Sequence, residues 1–386
     1  MERQLTAHDP LPAARSAYDG APRLSVAICT YDRYHRLPGA IEALLKQDCE
    51  SGFLEIIVID NSPDQAAAEI YSQRYRSEPR IRYVLEPAPG LSNARNVATS
   101  LARADLIAFI DDDAIAAPDW AIKIVQAFET AAPRAAVIGG RVLPRWVSTR
   151  PTWLSDNLLG HLSIVDWGGS LRELASDQWL AGCNIAFDKK ALIAAGGFSR
   201  ALGRMGSGFL LLSNDEIEVL ERIHAAGRVS MYCPEAVVEH VIDPGRLTRN
   251  WFRRRLAWQA VSDFIKNPER TTAYAPAAAE HIRLALRTGS RTGPLGFFRQ
   301  VDDPAEFKHD VALTYDLVVA TLAGGIEIDP EHDHGTAAGL KAKAIGMARF
   351  AAQKNRNVRQ MLHFALRVRG FLFAGGTHVT RDRGRD

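Results

Sequence analysis

The chain is predicted to be an α/β protein, with a Rossmann-like, mostly parallel central sheet flanked by helices and an appended helical C-terminal region. Three observations predict this. From Leu24 onward, short β-rich runs alternate with stretches of helical period. Several runs end in polar clusters, most clearly in "LIAFIDDDAIAAPDW" (106–120), where an apolar run meets three consecutive carboxylates. After His240 the β-rich runs stop and arginine-rich amphipathic patterns replace them. The expected division is a flexible arm at 1–22, an α/β domain at 23–242, a helical region at 243–375 and a flexible tail at 376–386.

The elements follow in order. "LSVAIC" reads as the first strand, and "LPGAIEALLKQ" as a helix with proline in its first turn. "LEIIVID", "AAAEIYSQRY", "IRYVL" and "SNARNVATSLAR" continue the alternation. "LIAFI" is wholly apolar, as a strand covered on both faces must be, and "WAIKIVQAFETA" and "AAVIGGRVL" supply the next helix and strand. Helical patterns of about 10 to 15 residues between strands indicate βαβ units and hence parallel pairing. Between Pro144 and Asp177 the periodicity lapses around Trp146, Trp153 and Trp167, which predicts either a loop region over a site or a poorly ordered segment. "WLAGCNIAF" then reads as strand, "KKALIAAGGF" and "NDEIEVLERIHAAG" as helices with glycine stops, and "VSMYCPEAVVEH" as strand and turn.

A chain of 386 residues, 47% of them apolar, exceeds the usual single-domain range and has ample material for a core. Its formal charge of +2 conceals an asymmetry: residues 1–244 carry a net −7 and residues 245–386 a net +9. Cys29, Cys49, Cys183 and Cys233 follow no metal-ligand spacing, which predicts reduced thiols in a cytoplasmic protein. The N-terminal stretch has no apolar leader segment, and no run is long enough to cross a bilayer. Two placements are open for "RLTRNWFRRRLAWQAVSDFIKN" and "VRQMLHFALRVRGFLFAGG". They pack on the first domain with solvated arginines, or they lie peripherally on an anionic membrane, such as the inner face of a cell membrane. No nucleic-acid partner is expected, and the oligomeric state is left open.

In a doubly wound sheet the ends "CTYDR", "IDNSPD" and "IDDDA", with "PAPGLSNARN" ahead of a helix, converge on one crevice. Three adjacent carboxylates repel each other there unless a cation or hydrogen-bond donors compensate, and hard divalent cations take carboxylate oxygens. The alternative is one helix-capping Asp and two solvated loop charges. An aromatic face, small polar groups and an arginine in one crevice suit a nucleotide.

The ordered series "VAICTYDR", "IIVIDNSPD", "PGLSNARNVA", "LIAFIDDDA", "GCNIAF", "GGF", "NDEIEVLERIHAAG" and "YCPEAVVEH" resembles a family 2 glycosyltransferase of GT-A fold over residues 24–242. The resemblance implies an inverting enzyme that moves a sugar from a nucleoside-diphosphate sugar, UDP-sugars favoured over GDP- or dTDP-sugars, to a glycan or lipid-linked hydroxyl. Tyr31 would stack on the base with Thr30 beside it. Asp60 and Asn61 would hydrogen-bond base or ribose, or else close an Asx-turn. Arg95 would face the diphosphate, or else be a surface cation. Asp111 and Asp113 match the Asp-x-Asp motif, Asp111 toward the ribose or sugar and both as ligands of Mn2+ or Mg2+, with Asp112 between them at the donor; His240 would add a metal or phosphate contact, or else be a structural histidine. The acidic pair of the family falls on Asp215 and Glu216. Glu216 stands where Asp is usual, so the general base is open between the two, and both alternatively serve only the helix dipole behind an Asn214 cap. Rival functions are a non-catalytic nucleotide-sugar binder, disfavoured by the retained acids, and a sugar nucleotidyltransferase, whose glycine-rich N-terminal phosphate loop is missing.

Overall fold

Strands β1 (Leu24–Thr30) and β2 (Leu54–Asp60) are buried at nearly every position, because helices cover both faces of the sheet they begin. The computed structural model describes residues 20–204, 211–287 and 301–325. α1 (Leu37–Leu45) joins β1 to β2. α2 (Gln65–Tyr75) starts where the Asp64 carboxylate accepts from the backbone N–H groups of Ala66 and Ala67, and it leads to β3 (Ile81–Leu85). α3 (Leu91–Leu101) precedes β4 (Leu106–Asp111), and α4 (Trp120–Thr130) precedes β6 (Ala135–Trp146). Between them lies a three-residue strand, β5 (Ala114–Ala116), too short to leave a periodic signal in the sequence. β7 (Arg172–Glu173), β8 (Ile185–Asp188), α5 (Lys189–Ala194), α6 (Asp215–Ala225) and β9 (Val229–Ile242) complete the α/β portion.

The strands form one sheet in the order β3-β2-β1-β4-β8-β6-β9-β5, with β7 also on β9. β1, β2, β3 and β4 are mutually parallel, as the βαβ spacing predicts, and β6 runs parallel to β9. The shorter β4–β8, β6–β8, β5–β9 and β7–β9 ladders are antiparallel. The sheet is therefore mixed, with the longer ladders parallel.

Three expectations change in detail. "WLAGCNIAF" is a strand only at its end, because Asn184 makes tertiary bonds instead: its Nδ2 donates to the carbonyls of Arg141 (2.9 Å) and Ala236 (2.8 Å), and its Oδ1 accepts from Trp120 Nε1 (2.8 Å). At Gly140 the chain passes so near that a Cβ would lie 1.9 Å from the Ala236 carbonyl oxygen. "VSMYCPEAVVEH" is one strand with a bulge, the register jumping from Gly140–Cys233 to Arg141–Val237 around Pro234, which has no N–H to donate. The 144–177 segment is partly regular, with a 3-10 turn at Asp156–Leu162 and the β7 strand.

α7 (Arg249–Lys266), α8 (Pro268–Arg287) and α9 (Pro304–Gly325) form the helical region. Trp251, Phe252 and Leu256 of α7 pack with Trp153, Leu154 and Leu158, so the tryptophan-rich segment and the first C-terminal helix share one apolar cluster. Trp258, Val261 and Phe264 pack with Leu211, Leu212 and residues of α8 and α9. The apolar face of "WFRRRLAW" thus turns into the protein, as in the packing alternative for this stretch. The second basic stretch, 358–376, lies outside the described residues. No helix among the described residues is long and apolar enough to cross a membrane. All four thiols are free, Cys183 and Cys233 buried and Cys29 and Cys49 partly so.

Candidate active site

The order of β3-β2-β1 reverses at β4, and such a switch point opens a crevice at the carboxyl ends of the strands. Thr30 pairs with Asp60, and Cys29 with Asp111, so the ends of β1, β2 and β4 stop at one level. A cleft of about 430 Å³ opens there, walled by Thr30, Tyr31, Asn61, Asp111 and Asp112. A larger cavity, about 610 Å³, is lined by Trp179, Ile217, His224 and Arg228, and none of the strand-end acids reaches it.

The three carboxylates point to different partners. Asp112 accepts from Thr30 Oγ1 (2.8 Å) and pairs with Arg33 (2.8 Å); burial, countered in part by Arg33, pushes its carboxyl up to about 7. Asp113 is 1% exposed and lies 2.5 Å from Arg33, 3.2 Å from Arg246 and 3.3 Å from His240 Nε2. Against the effect of burial, His240 and Arg246 hold its carboxyl well below the usual range. Asp111 is the most exposed of the three. The pairing of β5 with β9 brings His240 to this point, since Ala114 opposes His240 and the Val241 N–H donates to the Asp113 carbonyl (2.8 Å).

His240 Nδ1 lies 2.7 Å from the Leu162 carbonyl, which only accepts, so Nδ1 carries a proton; Nε2 lies 3.3 Å from Asp113 Oδ1 and 3.3 Å from an Arg246 N–H. Asp113 Oδ1 is buried and has no hydrogen-bond donor among the described residues. A cation would satisfy the buried Asp113 oxygen that lacks a donor. One ligand atom from each of Asp111, Asp113 and His240 lies within 4.8 Å of the others, and this oxygen–nitrogen set suits Mn2+ or Mg2+.

On α6 the acidic neighbours separate in role. Asp215 is 2% exposed and accepts from Arg95 Nη1 at 2.7 Å. Arg95 also donates to the Gly182 carbonyl (3.0 Å) and lies over the rings of Phe109 and Phe198. A Cβ at Gly182 would stand 2.6 Å from Arg95 Nη2, so a side chain there would displace the guanidinium from its present position. Glu216 is only half-buried; burial and the adjacent Asp215 push its carboxyl up to about 8. Asn214 sits at the N-cap position in the left-handed region (φ 71°) without capping the helix. Its side chain instead donates to Asp263 (2.6 Å) and accepts from Gln259 (2.9 Å), fastening α6 to α7.

Two sequence expectations need correction. Asp60 is fully buried, with Oδ1 bonded to the Ser62 N–H and hydroxyl and Oδ2 to the hydroxyls of Tyr34 (3.0 Å) and Tyr83 (2.6 Å). It closes the Asx-turn and does not line the cleft, whereas Asn61 does. Arg95 is neither at the diphosphate crevice wall nor on the surface, being enclosed with Asp215 and 3.7 Å from Asp111. Sequence reasoning also missed the arginines at the cleft: Arg33, Arg204, Arg246 and Arg254. Arg33 was legible in "TYDR", where Asp32 takes φ 54° and turns the chain between Tyr31 and Arg33; the others follow from tertiary packing.

Residues 25–192, which hold the ends of β1, β2 and β4, match the family described as glycosyl transferase family 2. Over this stretch, less than half of the chain, the sequence is similar to family 2 glycosyltransferases, and curated relatives that it matches are glycosyltransferases; the mixed, mostly parallel sheet flanked by helices is the architecture expected. The chain is 27% identical over 244 residues to a glucosyl-dolichyl phosphate glucuronosyltransferase of Haloferax volcanii, covering 62% of this chain and 76% of that one. To the succinoglycan biosynthesis protein ExoM of Rhizobium meliloti it is 25% identical over 236 residues, 60% of this chain and 71% of the relative. A mannosyltransferase of Pyrobaculum calidifontis, solved with GDP-Man and Mn2+, is similar with 18% identity and a TM-score of 0.45, over 95% of this chain and 92% of that one.

Proposed function

We propose that the protein transfers a glycosyl group from a nucleoside-diphosphate sugar, a UDP-sugar in the first instance, to an acceptor hydroxyl by a single inverting displacement. The observation that carries this is the Asp111, Asp113 and His240 cluster at the switch-point cleft, with its buried, unpartnered Asp113 oxygen. These three residues would hold Mn2+ or Mg2+. When bound, the cation neutralises charge on the diphosphate leaving group. Tyr31 provides a ring for the base, Asn61 and Thr30 provide polar atoms beside it, and Arg33 and Arg246 hold Asp112 and Asp113 in their orientations.

Glu216 is assigned as general base and takes the acceptor proton. Asp215 is committed to Arg95, so its role is to fix the first turn of α6. Similarity to a glucosyl-dolichyl phosphate glucuronosyltransferase and to a succinoglycan biosynthesis protein favours a glycan or lipid-linked acceptor in glycoconjugate assembly. The test is calorimetric titration with UDP, GDP and dTDP, each with Mn2+ and with chelator. UDP is expected to bind at least about tenfold tighter with Mn2+, a difference of about 1.4 kcal/mol. Equal binding of all three nucleotides without cation dependence contradicts the assignment.

A further inference from the structure

The wall of the cleft contributed by the C-terminal region carries more positive charge than its carboxylates balance. Arg33 and Arg246 are paired with Asp112 and Asp113. Arg204 and Arg254 line the same cleft, and Arg255 follows on α7. Among the described residues these three form no ion pair. Arg254 Nε and Arg255 Nη1 are buried without any hydrogen-bond acceptor, although a guanidinium has only donors to offer and leaving them unmet in a buried place is costly.

Like charges crowd there as well. Burial and then the neighbouring Arg204 pull the Arg255 guanidinium down to about 10, and burial and then Arg246 lower Arg204. Burial and then Arg255 pull His161 down to about 4, so that ring is a neutral neighbour. The opposite charge that Arg255 feels first is Glu216, whereas Arg204 feels Asp111 and Asp113. Arg204 and Arg254 thus stand at the cleft beside the cation cluster, and Arg255, the next residue on α7, feels the charge of the carboxylate assigned as general base.

We propose that Arg204, Arg254 and Arg255 form a phosphoryl-binding site on the acceptor side of the cleft, so that the acceptor is a phosphate-bearing glycan or lipid phosphate. Guanidinium groups match phosphate oxygens in planar, paired hydrogen bonds; Arg204 and Arg254 line the cleft, and Arg254 and Arg255 each carry a buried N–H without an acceptor. This rests on the glycosyltransferase assignment above, in which Glu216 marks the acceptor side. The net +9 of residues 245–386, which read in sequence as a surface charge, is here drawn in part into the cleft.

The experiment uses the full chain saturated with UDP and Mn2+, so that the donor position is filled, and titrates glucose 1-phosphate by calorimetry. A parallel arm uses vesicles of phosphatidic acid in phosphatidylcholine against phosphatidylcholine alone. Saturable binding of glucose 1-phosphate to the UDP-filled protein is expected. It should weaken at least about tenfold in Arg254→Gln/Arg255→Gln, and less in Arg254→Lys/Arg255→Lys, each variant titrated at a UDP concentration that saturates it. Vesicle binding that requires phosphatidic acid and the same arginines assigns the phosphate to a lipid, and soluble binding alone assigns it to a phosphorylated sugar. Loss of all phosphate binding once UDP is present would show that the arginines serve the donor diphosphate and would overturn the proposal, as would unchanged binding in the glutamine variants. Failure of UDP itself to bind the native chain would overturn the glycosyltransferase assignment instead.

Discussion

Arg95 on α3 and Asp215 on α6 meet at 2.7 Å with both side chains 3% exposed, joining the helix after β3 to the helix that presents Glu216. Burial works against the charge of Arg95, but Asp215, Asp111 and Glu216 together raise its pKa. The pair fixes the start of α6 relative to the strand ends, and so fixes Glu216 relative to Asp111.

Removing one partner of this pair leaves a buried charge uncompensated, which costs about 3–5 kcal/mol. Arg95→Ala is therefore expected to lower the denaturation midpoint strongly and to abolish turnover. Denaturant unfolding read by far-UV circular dichroism checks it. A midpoint within the error of the native chain would mean that the pair does not organise the fold.

Glu216→Gln removes the assigned base while keeping its shape, and turnover is expected to fall by about 10² to 10⁴ with little change in donor affinity. The activity of the native chain should rise with pH up to about 8, because the base acts only when deprotonated and burial with Asp215 holds its proton to that value. Glu216→Gln should lose that limb of the profile. Because the folded state holds this proton above the ordinary carboxyl range, the contribution of Glu216 to stability is fully present below about 4.5 and declines as pH rises toward about 8. An unchanged pH–rate profile in the glutamine variant would remove the role.

Asp60→Asn tests the reassignment of that residue. Its carboxylate organises Ser62, Tyr34 and Tyr83, and Ser62 Oγ in turn accepts from the Asp32 N–H (2.8 Å). Losing charge-assisted bonds of this kind costs about 1.5–3 kcal/mol. The expected result is a lower melting temperature with the UDP-to-GDP affinity ratio unchanged. A variant of native stability that has lost its preference among bases would return Asp60 to the donor site.

How far the sequence carried depended on range. The parallel half of the sheet was legible because βαβ units write their period into contiguous residues, as in "LEIIVID" followed by "AAAEIYSQRY". The triple Asp was legible because three like charges closing an apolar run repel one another and so demand a compensating partner. The different fates of Asp111, Asp112 and Asp113 were not, since they depend on Arg33, Arg246 and His240, which reach them through a turn, a short helical segment and the β5–β9 register. Arg95 and Asp215 were each singled out, but their pairing across 120 residues leaves no local pattern. The face of α7 was amphipathic on paper, and only the packing of Trp251 and Phe252 on Trp153 showed what covers it.

The central claim is that Asp111, Asp113 and His240 hold a divalent cation that binds the donor nucleotide. Its most direct measurement is Mn2+ electron paramagnetic resonance with UDP present, on the native chain and on Asp113→Asn, with circular dichroism to verify folding. The native chain is predicted to remove the free Mn2+ signal at one site per chain, and Asp113→Asn to leave it in solution while remaining folded. A folded Asp113→Asn protein that takes up Mn2+ with native affinity in the presence of UDP would contradict the account.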